Sequence, residues 1–322
     1  MKRYLVLLGF LLVYPVWAEV GVIAVTDEGK HSTKEDFYHT FEYFITSPGQ
    51  SGSKCQATRM APHWFVTAAH CVKDLCARAC SLQLDLLEAP VSAFAKVEHS
   101  TQNPTVFVHP GYQQGHFVKD DFALIRLDLN RAPKTYYRRA TSPKEPHVAL
   151  SEQKFTVWLA KHPRVARLYR RVLNPQLPPI AVFDNSNYEL DRTVSVISIF
   201  EGKRQVSVNP NPVYYVKDLG YAYTQNFGIR KGMSGSGVMT NTGELIGIIS
   251  AYVGADLYKG KEKVKHQEFF VFPVFNNDFV RFMQDVMGRD FSRVLQKDAY
   301  PYLARKTRKN FDEIKIIAKQ KK

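Results

Sequence analysis

The sequence has 322 residues, of which 45% are hydrophobic and 13% aromatic, and it carries a formal net charge of +14. A chain of this length and composition can bury a large apolar core, which excludes an intrinsically disordered protein. The excess of cations permits contact with anionic surfaces, but no zinc-finger, helix-turn-helix or RNA-binding signature is present, so specific nucleic-acid binding is not expected.

Residues 1–18 have the pattern of a secretory signal peptide. Lys2 and Arg3 provide a positive start, residues 5–13 form a short apolar run, and Ala18 is a small residue suited to cleavage. The run is too short for a comfortable membrane span, and no later stretch is long and apolar enough for one. We therefore expect a secreted or periplasmic protein without a transmembrane segment; an uncleaved N-terminal anchor is the alternative.

Short β-rich runs recur between glycine and proline turns from residue 55 onward. Such regular short strands predict an all-β barrel or sandwich. The runs cover 64–67, 106–108, 122–127, 155–159, 193–200, 213–216, 244–250 and 269–272. Two β-rich halves therefore flank a basic, proline-containing connection at 131–150.

A helix is predicted near 276–287, with Asn276 or Asn277 as its N-cap and Gly288 at its end. The following segment, 289–322, is a basic C-terminal extension with 11 Lys/Arg against 4 Asp/Glu.

Residues 131–180 are also basic, with 11 Lys/Arg against 2 Asp/Glu. Both basic regions allow contact with a polyanion, and a merely solvated face is the simpler interpretation.

Four cysteines are present: Cys55, Cys71, Cys76 and Cys80. An even number in a secreted chain predicts disulfides, and four cysteines allow three pairings. Cys76 and Cys80 form a Cys-x3-Cys unit without nearby histidines, so a zinc site is disfavoured and neither a metal nor another cofactor is expected.

Two stretches contain candidate catalytic residues. Residues 232–237 read Gly-Met-Ser-Gly-Ser-Gly, a turn that can present a serine hydroxyl beside converging backbone N–H groups, although Gly/Ser clusters are usually ordinary turns. Residues 64–71 form a strand that runs into a small-residue turn and places His70 beside Cys71. Each pattern alone is weak, and the two together favour nucleophilic catalysis.

Five stretches, in order, resemble the chymotrypsin/trypsin-like serine peptidases, with some likeness to the glutamyl endopeptidases at the serine motif. Residues 67–71 resemble the histidine motif, and 109–112 the turn before the aspartate. Residues 121–127 resemble the aspartate motif, 232–237 the serine motif, and 243–250 the strand after it. The order His, Asp, Ser is that of the family, whereas an esterase of the α/β-hydrolase type is disfavoured by the His-before-Ser order and the lack of alternating helices.

The resemblance implies two six-stranded antiparallel β-barrels and a C-terminal helix within residues 19–288, with the catalytic site between the barrels. It also implies a serine endopeptidase that hydrolyses proteins or peptides through an acyl-enzyme, without a cofactor. The family's bridge behind the catalytic histidine implies Cys55–Cys71, which leaves Cys76–Cys80 as the second disulfide.

Residue roles follow from the same resemblance. Ser234 is the expected nucleophile, His70 the general base and Asp121 the acceptor that fixes the tautomer of His70, while the N–H groups of Gly232 and Ser234 form the oxyanion hole. Asp120 is the rival aspartate and Ser236 the rival nucleophile.

Three positions depart from the family. Met233 stands where the family has Asp or Asn, so an ammonium–aspartate activation switch is not expected. Gly228 takes the place of a charged pocket residue, and Ile249 the place where glutamyl endopeptidases have a histidine. Cleavage specificity is therefore open, and a catalytically silent homologue that binds a partner through its basic surface is the alternative function.

Overall fold

Strands dominate the part of the chain that the computed structural model describes. The described residues are 22–24, 42–46, 55–76, 80–88, 93–101, 105–113, 118–138, 148–174, 177–178, 180, 194–200, 203–209, 213–216, 220–226, 228–240, 244–259 and 262–291. The predicted signal peptide and all but the first three residues of the predicted extension 289–322 lie outside this part.

The strands of the first half are β1 Val22–Ala24, β2 Glu42–Thr46, β3 Cys55–Ala61, β4 Trp64–Thr67, β5 Cys80–Glu88, β6 Ala93–Thr101, β7 Thr105–Val108, β8 Ala123–Arg126, β9 Lys134–Arg138 and β10 Val148–Leu150. Those of the second half are β11 Val194–Phe200, β12 Lys203–Asn209, β13 Tyr214–Val216, β14 Tyr221–Gln225, β15 Gly237–Thr240, β16 Leu245–Ile248, β17 Ala251–Lys259 and β18 Glu262–Pro273. The helices are α1 Ala69–Leu75, α2 Glu152–Lys161, α3 Pro163–Leu173 and α4 Asn277–Met287, and a 3-10 turn, Gly288–Asp290, follows α4.

The first barrel has six strands if β6 and β7, which follow each other in the chain, are counted as one. Its sheet runs β6-β5-β2-β3-β4-β8-β7, extended beyond β6 by β9 and β10, and all neighbours are antiparallel. Only residues 102–104 separate β6 from β7 in the sequence, and four chain steps span at most ~14 Å. The two ends of the seven-strand run therefore lie close together. The sheet closes into a barrel, in which β6 and β7 form one continuous strand.

The second barrel has the same strand count. β12, β11, β15 and β16 are neighbours in one antiparallel sheet, and β17, β18 and β14 in another. Only residues 249–250 separate β16 from β17, and the bonds Phe275 N–H to Ile246 O (2.9 Å) and Ser250 N–H to Val271 O (3.2 Å) carry the pairing across this junction. With β16 and β17 as one path, the predicted all-β, two-barrel, chymotrypsin-like fold is confirmed.

Helix α4 packs against the first barrel, although it follows the second in the chain. Asn276 caps it, as predicted, by accepting a hydrogen bond from the N–H of Phe279, and Gly288 ends it with φ +54°. The ring of Phe279 lies 4.3 Å from that of Phe122, which directly follows the predicted catalytic Asp121. The helix thus supports the aspartate loop from behind.

The prediction of a strand over 155–159 is wrong, because these residues lie in α2. Ser151 caps that helix by accepting from the N–H of Lys154, and Phe155 stacks on Tyr136 of β9 at 4.4 Å between ring centres. A short apolar run does not by itself distinguish a strand from a helix, and here the cap and the packing decide. The predicted connection 131–150 likewise contains β9 and β10, which extend the first sheet.

Candidate active site

The histidine turn is formed where β4 runs into α1. All four residues of β4 are buried, and Ala68 has an extended backbone (φ −72°, ψ 138°) at the N-cap, so the chain turns sharply into the helix. His70 lies in the first turn with 37% of its side chain exposed. The turn therefore places an accessible imidazole on a rigid, buried support.

Asp121, and not Asp120, is the carboxylate that contacts His70. Asp121 Oδ2 lies 2.8 Å from His70 Nδ1, and Oδ1 accepts the backbone N–H of His70 at 3.0 Å. Asp120 has a positive φ of 56° and its carboxylate lies 3.9 Å from His109 instead. One carboxylate thus holds both the ring and the backbone of the histidine.

Ser250 completes this arrangement, and sequence reasoning assigned it no role. Its hydroxyl donates to Asp121 Oδ2 at 2.5 Å from the second barrel. Burial alone would raise the pKa of Asp121, but the hydrogen bonds and the charge of His70, together with the Ser250 hydroxyl, outweigh burial and hold the pKa below its ordinary value of 3.8. The only available signal was the position of this serine at the end of the predicted strand 244–250.

The serine turn depends on two glycines with positive φ, Gly232 at 96° and Gly235 at 86°. A Cβ at Gly235 would overlap the carbonyl oxygen of Gln56 and the hydroxyl of Thr67, so only glycine fits there. The Gly235 N–H donates to Ile249 O at 2.7 Å, which ties the turn to the second barrel. The conformation is therefore dictated by these glycines and their neighbours.

Of the two serines in the turn, Ser234 has the accessible hydroxyl. Ser236 is fully buried, and its Oγ has no hydrogen-bond partner among the described residues. Ser234 is half-buried, and its Oγ donates to the carbonyl of Ser250 at 3.4 Å. Because Ser250 also contacts Asp121, the predicted nucleophile and the His70–Asp121 pair converge on one residue.

The backbone of the turn leaves two donors unused. Within the described part of the chain, neither the N–H of Gly232 nor that of Ser234 donates to a protein acceptor, whereas the N–H of Met233 between them donates to Arg230 O at 3.1 Å. Two N–H groups without a protein acceptor, one of the serine itself and one two residues before it, match what an oxyanion pocket requires.

Met233 occupies the interior behind the turn. Its side chain is fully buried in the apolar cluster of the second barrel, with Ile229 and Val238 among its members. The Sδ atom accepts a hydrogen bond from the N–H of Arg230 at 3.4 Å. A neutral thioether thus lies at the position where Asp or Asn is expected from the resemblance.

The two other departures contribute no charge to the site. Gly228 has φ 118° and donates its N–H to the side chain of Asn226 at 3.2 Å, while Ile249 is buried.

The structure contains a Cys55–Cys71 disulfide, which joins β3 to α1 directly beside His70. Cys76 is also disulfide-bonded, and the side chain of Cys80 lies outside the described part, so Cys76–Cys80 stays a prediction. Cys55, His70 and Cys71 group closely, but both sulfurs are already bonded to each other and are not thiolate ligands. This donor set does not fit a metal ion.

The family model described as Trypsin matches residues 28–169, a segment that contains His70 and Asp121 and ends before Ser234. No curated protein matches the sequence. Among solved structures, the chain is similar to a scabies mite inactivated protease paralogue, with 15% identity, 81% of this chain and 100% of that chain covered, and a TM-score of 0.46. It is also similar to a Glu endopeptidase in complex with MPD, with 18% identity, 77% and 90% coverage and a TM-score of 0.44.

Likeness to solved structures at this level carries no argument about activity. The family match includes three of the five motif stretches, and the two-barrel architecture brings the other two, 232–237 and 243–250, to the same site. The recognition of the chain from those motifs is therefore confirmed: residues 28–169 match the Trypsin family model, and the fold is chymotrypsin-like.

Proposed function

We propose that this protein is a serine endopeptidase that hydrolyses peptide bonds through an acyl-enzyme. The observation that carries the proposal is the convergence of Ser234, Asp121 and Ser250, with His70 Nδ1 held 2.8 Å from Asp121. A serine hydroxyl is a poor nucleophile at neutral pH until a base takes its proton, and a histidine fixed by a carboxylate is such a base.

The reaction proceeds in two halves. Ser234 Oγ attacks the scissile carbonyl while His70 Nε2 takes its proton, and the resulting oxyanion accepts hydrogen bonds from the N–H groups of Gly232 and Ser234. His70 then protonates the leaving amine, and the acyl group stays on Ser234. A water molecule, deprotonated by His70, attacks the acyl-enzyme and releases the acid.

The nucleophile is tested with a fluorophosphonate probe. Purified mature protein should be labelled covalently, and mass mapping should locate the adduct on Ser234. Ser234→Ala should abolish labelling and peptide hydrolysis, whereas the matched variant Ser236→Ala should keep labelling at Ser234. Labelling that disappears only in Ser236→Ala would assign the nucleophile to the other serine.

The second candidate function is a catalytically silent homologue that binds a partner. Met233 favours it, because the family usually has Asp, or in some bacterial branches Asn, at this position. The same experiment separates the two candidates: a folded wild-type protein that neither reacts with the probe nor cleaves any member of a peptide library would be a binding module.

We also propose a secreted or periplasmic location. The Cys55–Cys71 disulfide supports it, because such bonds persist mainly in oxidising compartments. Among the described helices, none has the length and apolar character needed to cross a bilayer. Fractionation of the producing cells, with N-terminal sequencing of the exported chain, tests both the location and cleavage after Ala18.

A polyanion partner, if bound, should contact the helix pair α2 and α3. Residues 152–173 contain six Lys/Arg and one Asp/Glu, and Lys154, Lys161, Arg167 and Arg170 are all exposed. The apolar faces of the pair are used internally, since Phe155, Val165 and Val172 are buried. Binding of a polyanion to this helix pair would therefore depend on the exposed cations, and not on insertion of apolar side chains into a membrane.

Retention on a sulfated-polysaccharide column tests this contact. Replacing the four exposed cations by glutamine should lower the salt concentration of elution, and cleavage of small peptides should be unchanged. Equal elution of the variant and the wild type would contradict the assignment, as would loss of retention only after removal of residues 292–322.

A further inference from the structure

Gln56 contacts the serine turn from the opposite barrel. It lies on β3, next to the disulfide-bonded Cys55, and its side chain is fully buried. Its Nε2 donates to the carbonyl of Gly232 at 3.1 Å, although the two residues are 176 positions apart in the sequence. Its backbone N–H donates to the carbonyl of Ser234 at 2.7 Å. One residue of the first barrel therefore holds two carbonyl groups of the turn.

The carbonyl of Gly232 belongs to the peptide group that joins Gly232 to Met233. Peptide groups are planar, so the orientation of the carbonyl fixes that of the N–H at the other end. That N–H, from Met233, donates to Arg230 O at 3.1 Å. The peptide group is thus held at both ends, by Gln56 at its oxygen and by Arg230 at its nitrogen.

This peptide group lies between the two N–H groups that would bind an oxyanion. Gly232 has φ 96°, and glycine moves between positive and negative φ at little steric cost, so the turn needs an external restraint. In this chain the restraint does not come from a carboxylate after Gly232, because Met233 is neutral and fully buried. The amide of Gln56 is a donor that reaches the turn at this point.

We propose that Gln56 is a positioning residue for the oxyanion pocket. Its side-chain amide fixes the Gly232–Met233 peptide group, so that the N–H groups of Gly232 and Ser234 both point toward the substrate carbonyl. The inference rests on the proposed peptidase function. It also means that docking of the two barrels, and not a new N-terminus, completes the pocket.

Gln56→Met is the main test, because methionine keeps the length and burial of glutamine but has no N–H donor. Losing support for the pocket should lower kcat by ~10²-fold, the order of effect seen when one oxyanion donor is lost. KM should stay within about twofold, since substrate binding in the ground state does not use the pocket. Gln225→Met, a half-buried glutamine on β14, is the matched control and should keep kcat.

A peptide aldehyde supplies a second readout. Ser234 Oγ bonds to the aldehyde carbon, the C=O double bond becomes a C–O single bond, and the hydroxyl proton moves to His70. The hemiacetal oxygen then carries the negative charge and occupies the oxyanion pocket. The Ki of the aldehyde should rise in Gln56→Met by about the factor that kcat falls, while the affinity for the corresponding peptide acid should be unchanged. A general structural defect would weaken both ligands together.

Gln56→Glu separates positioning from mere packing. A carboxylate only accepts hydrogen bonds and repels the Gly232 carbonyl, whereas the protonated acid has one O–H donor. The kcat of Gln56→Glu relative to the wild type should therefore be low at pH 8 and rise toward pH 6. The same pH trend tests the proposal where Gln56→Met does not fold.

The outcomes are distinct for the two proposals. If the wild type is active and the kcat of Gln56→Met lies within threefold of the wild-type kcat, at an equal unfolding free energy, only the role of Gln56 is overturned. Parallel losses in aldehyde and acid affinity, or a Gln56→Glu activity ratio that does not depend on pH, overturn it as well. A wild type that neither labels nor hydrolyses overturns both the proposed function and this role.

Discussion

The two barrels hold their parts of the site by different forces. His70 and Asp121, from the first barrel, are joined by charge-assisted hydrogen bonds at 2.8 and 3.0 Å. The turn that carries Ser234, from the second barrel, is held by neutral contacts: the buried Met233 side chain and the amide of Gln56. The comparison teaches that a tight turn beside a charged pair can be held by a buried thioether and an amide, without a permanent charge behind it.

Replacing Asp121 removes the charge from the first barrel's part of the site. In Asp121→Asn we expect kcat for peptide hydrolysis to fall by ~10³–10⁴-fold, because an amide neither stabilises the imidazolium nor fixes the required tautomer. Asp120→Asn is the matched control and should cost much less, since Asp120 faces His109. Turnover per fluorophosphonate-titrated site measures both variants. A larger loss in Asp120→Asn would reassign the catalytic carboxylate.

Introducing a charge into the neutral turn is the reverse experiment. Met233→Asp places a carboxylate at a fully buried position, and we expect the free energy of unfolding to fall by ~3 kcal/mol at pH 8. Burial should raise the pKa of the new acid, so the deficit should shrink as the pH is lowered toward 5. Met233→Leu, an isosteric control, should cost less than ~1.5 kcal/mol. Urea unfolding at both pH values measures these differences. Equal stability of Met233→Asp and Met233→Leu at pH 8 would contradict the expectation that this neutral interior does not tolerate a charge.

The Cys55–Cys71 disulfide joins two segments of the first barrel, because Cys55 precedes Gln56 on β3 and Cys71 follows His70 in α1. Its loop spans 16 positions, which corresponds to ~3 kcal/mol in the chain-entropy interpretation. The double variant with serine at both positions should lose about this much unfolding free energy. The turnover of its folded fraction should fall by a smaller factor than its folding equilibrium constant. Wild type in reductant is the control. Unchanged stability in the double variant would show that β3 and α1 are held together without the bond.

Among the described side chains of the second barrel, only that of Ser250 donates to Asp121. Of these substitutions, Ser250→Ala should have the smallest effect. Losing a hydrogen-bond donor to a charged group lowers the free energy of unfolding by ~2 kcal/mol. We also expect kcat to fall by roughly tenfold, because Asp121 is then held less firmly. Because the folded pKa of Asp121 is lowered, its stabilisation is present above the ordinary value near 3.8 and is lost as the pH falls through the lowered one.

The variant should raise the pKa of Asp121, so acid unfolding should begin at a higher pH than in the wild type. Ser195→Ala on β11 is the control and should leave the acid transition in place. A titration of unfolding free energy between pH 6 and 2 tests the shift, and coincident curves for Ser250→Ala and the wild type would contradict it.

The sequence predicted the elements whose signals are local. β4 coincides with the predicted run 64–67, because a short β-rich run and a following small-residue turn are both visible in the chain. Asn276 and Gly288 likewise bound α4 as predicted, since capping depends on residues within one turn. Where two patterns compete locally, as at 155–159, packing on Tyr136 selected the helix.

The amino-acid sequence by itself determined the residue types of the candidate site, their order and the resemblance to the chymotrypsin/trypsin-like serine peptidases. Only the tertiary structure decided that Asp121 and not Asp120 faces His70, that Ser236 is enclosed while Ser234 is accessible, and that Ser250 joins them. It also decided how the turn is held, since Gln56 and Gly232 lie 176 positions apart. The reason is physical: hydrogen bonds and burial depend on distance in space, which closure of the two barrels sets and local spacing does not encode.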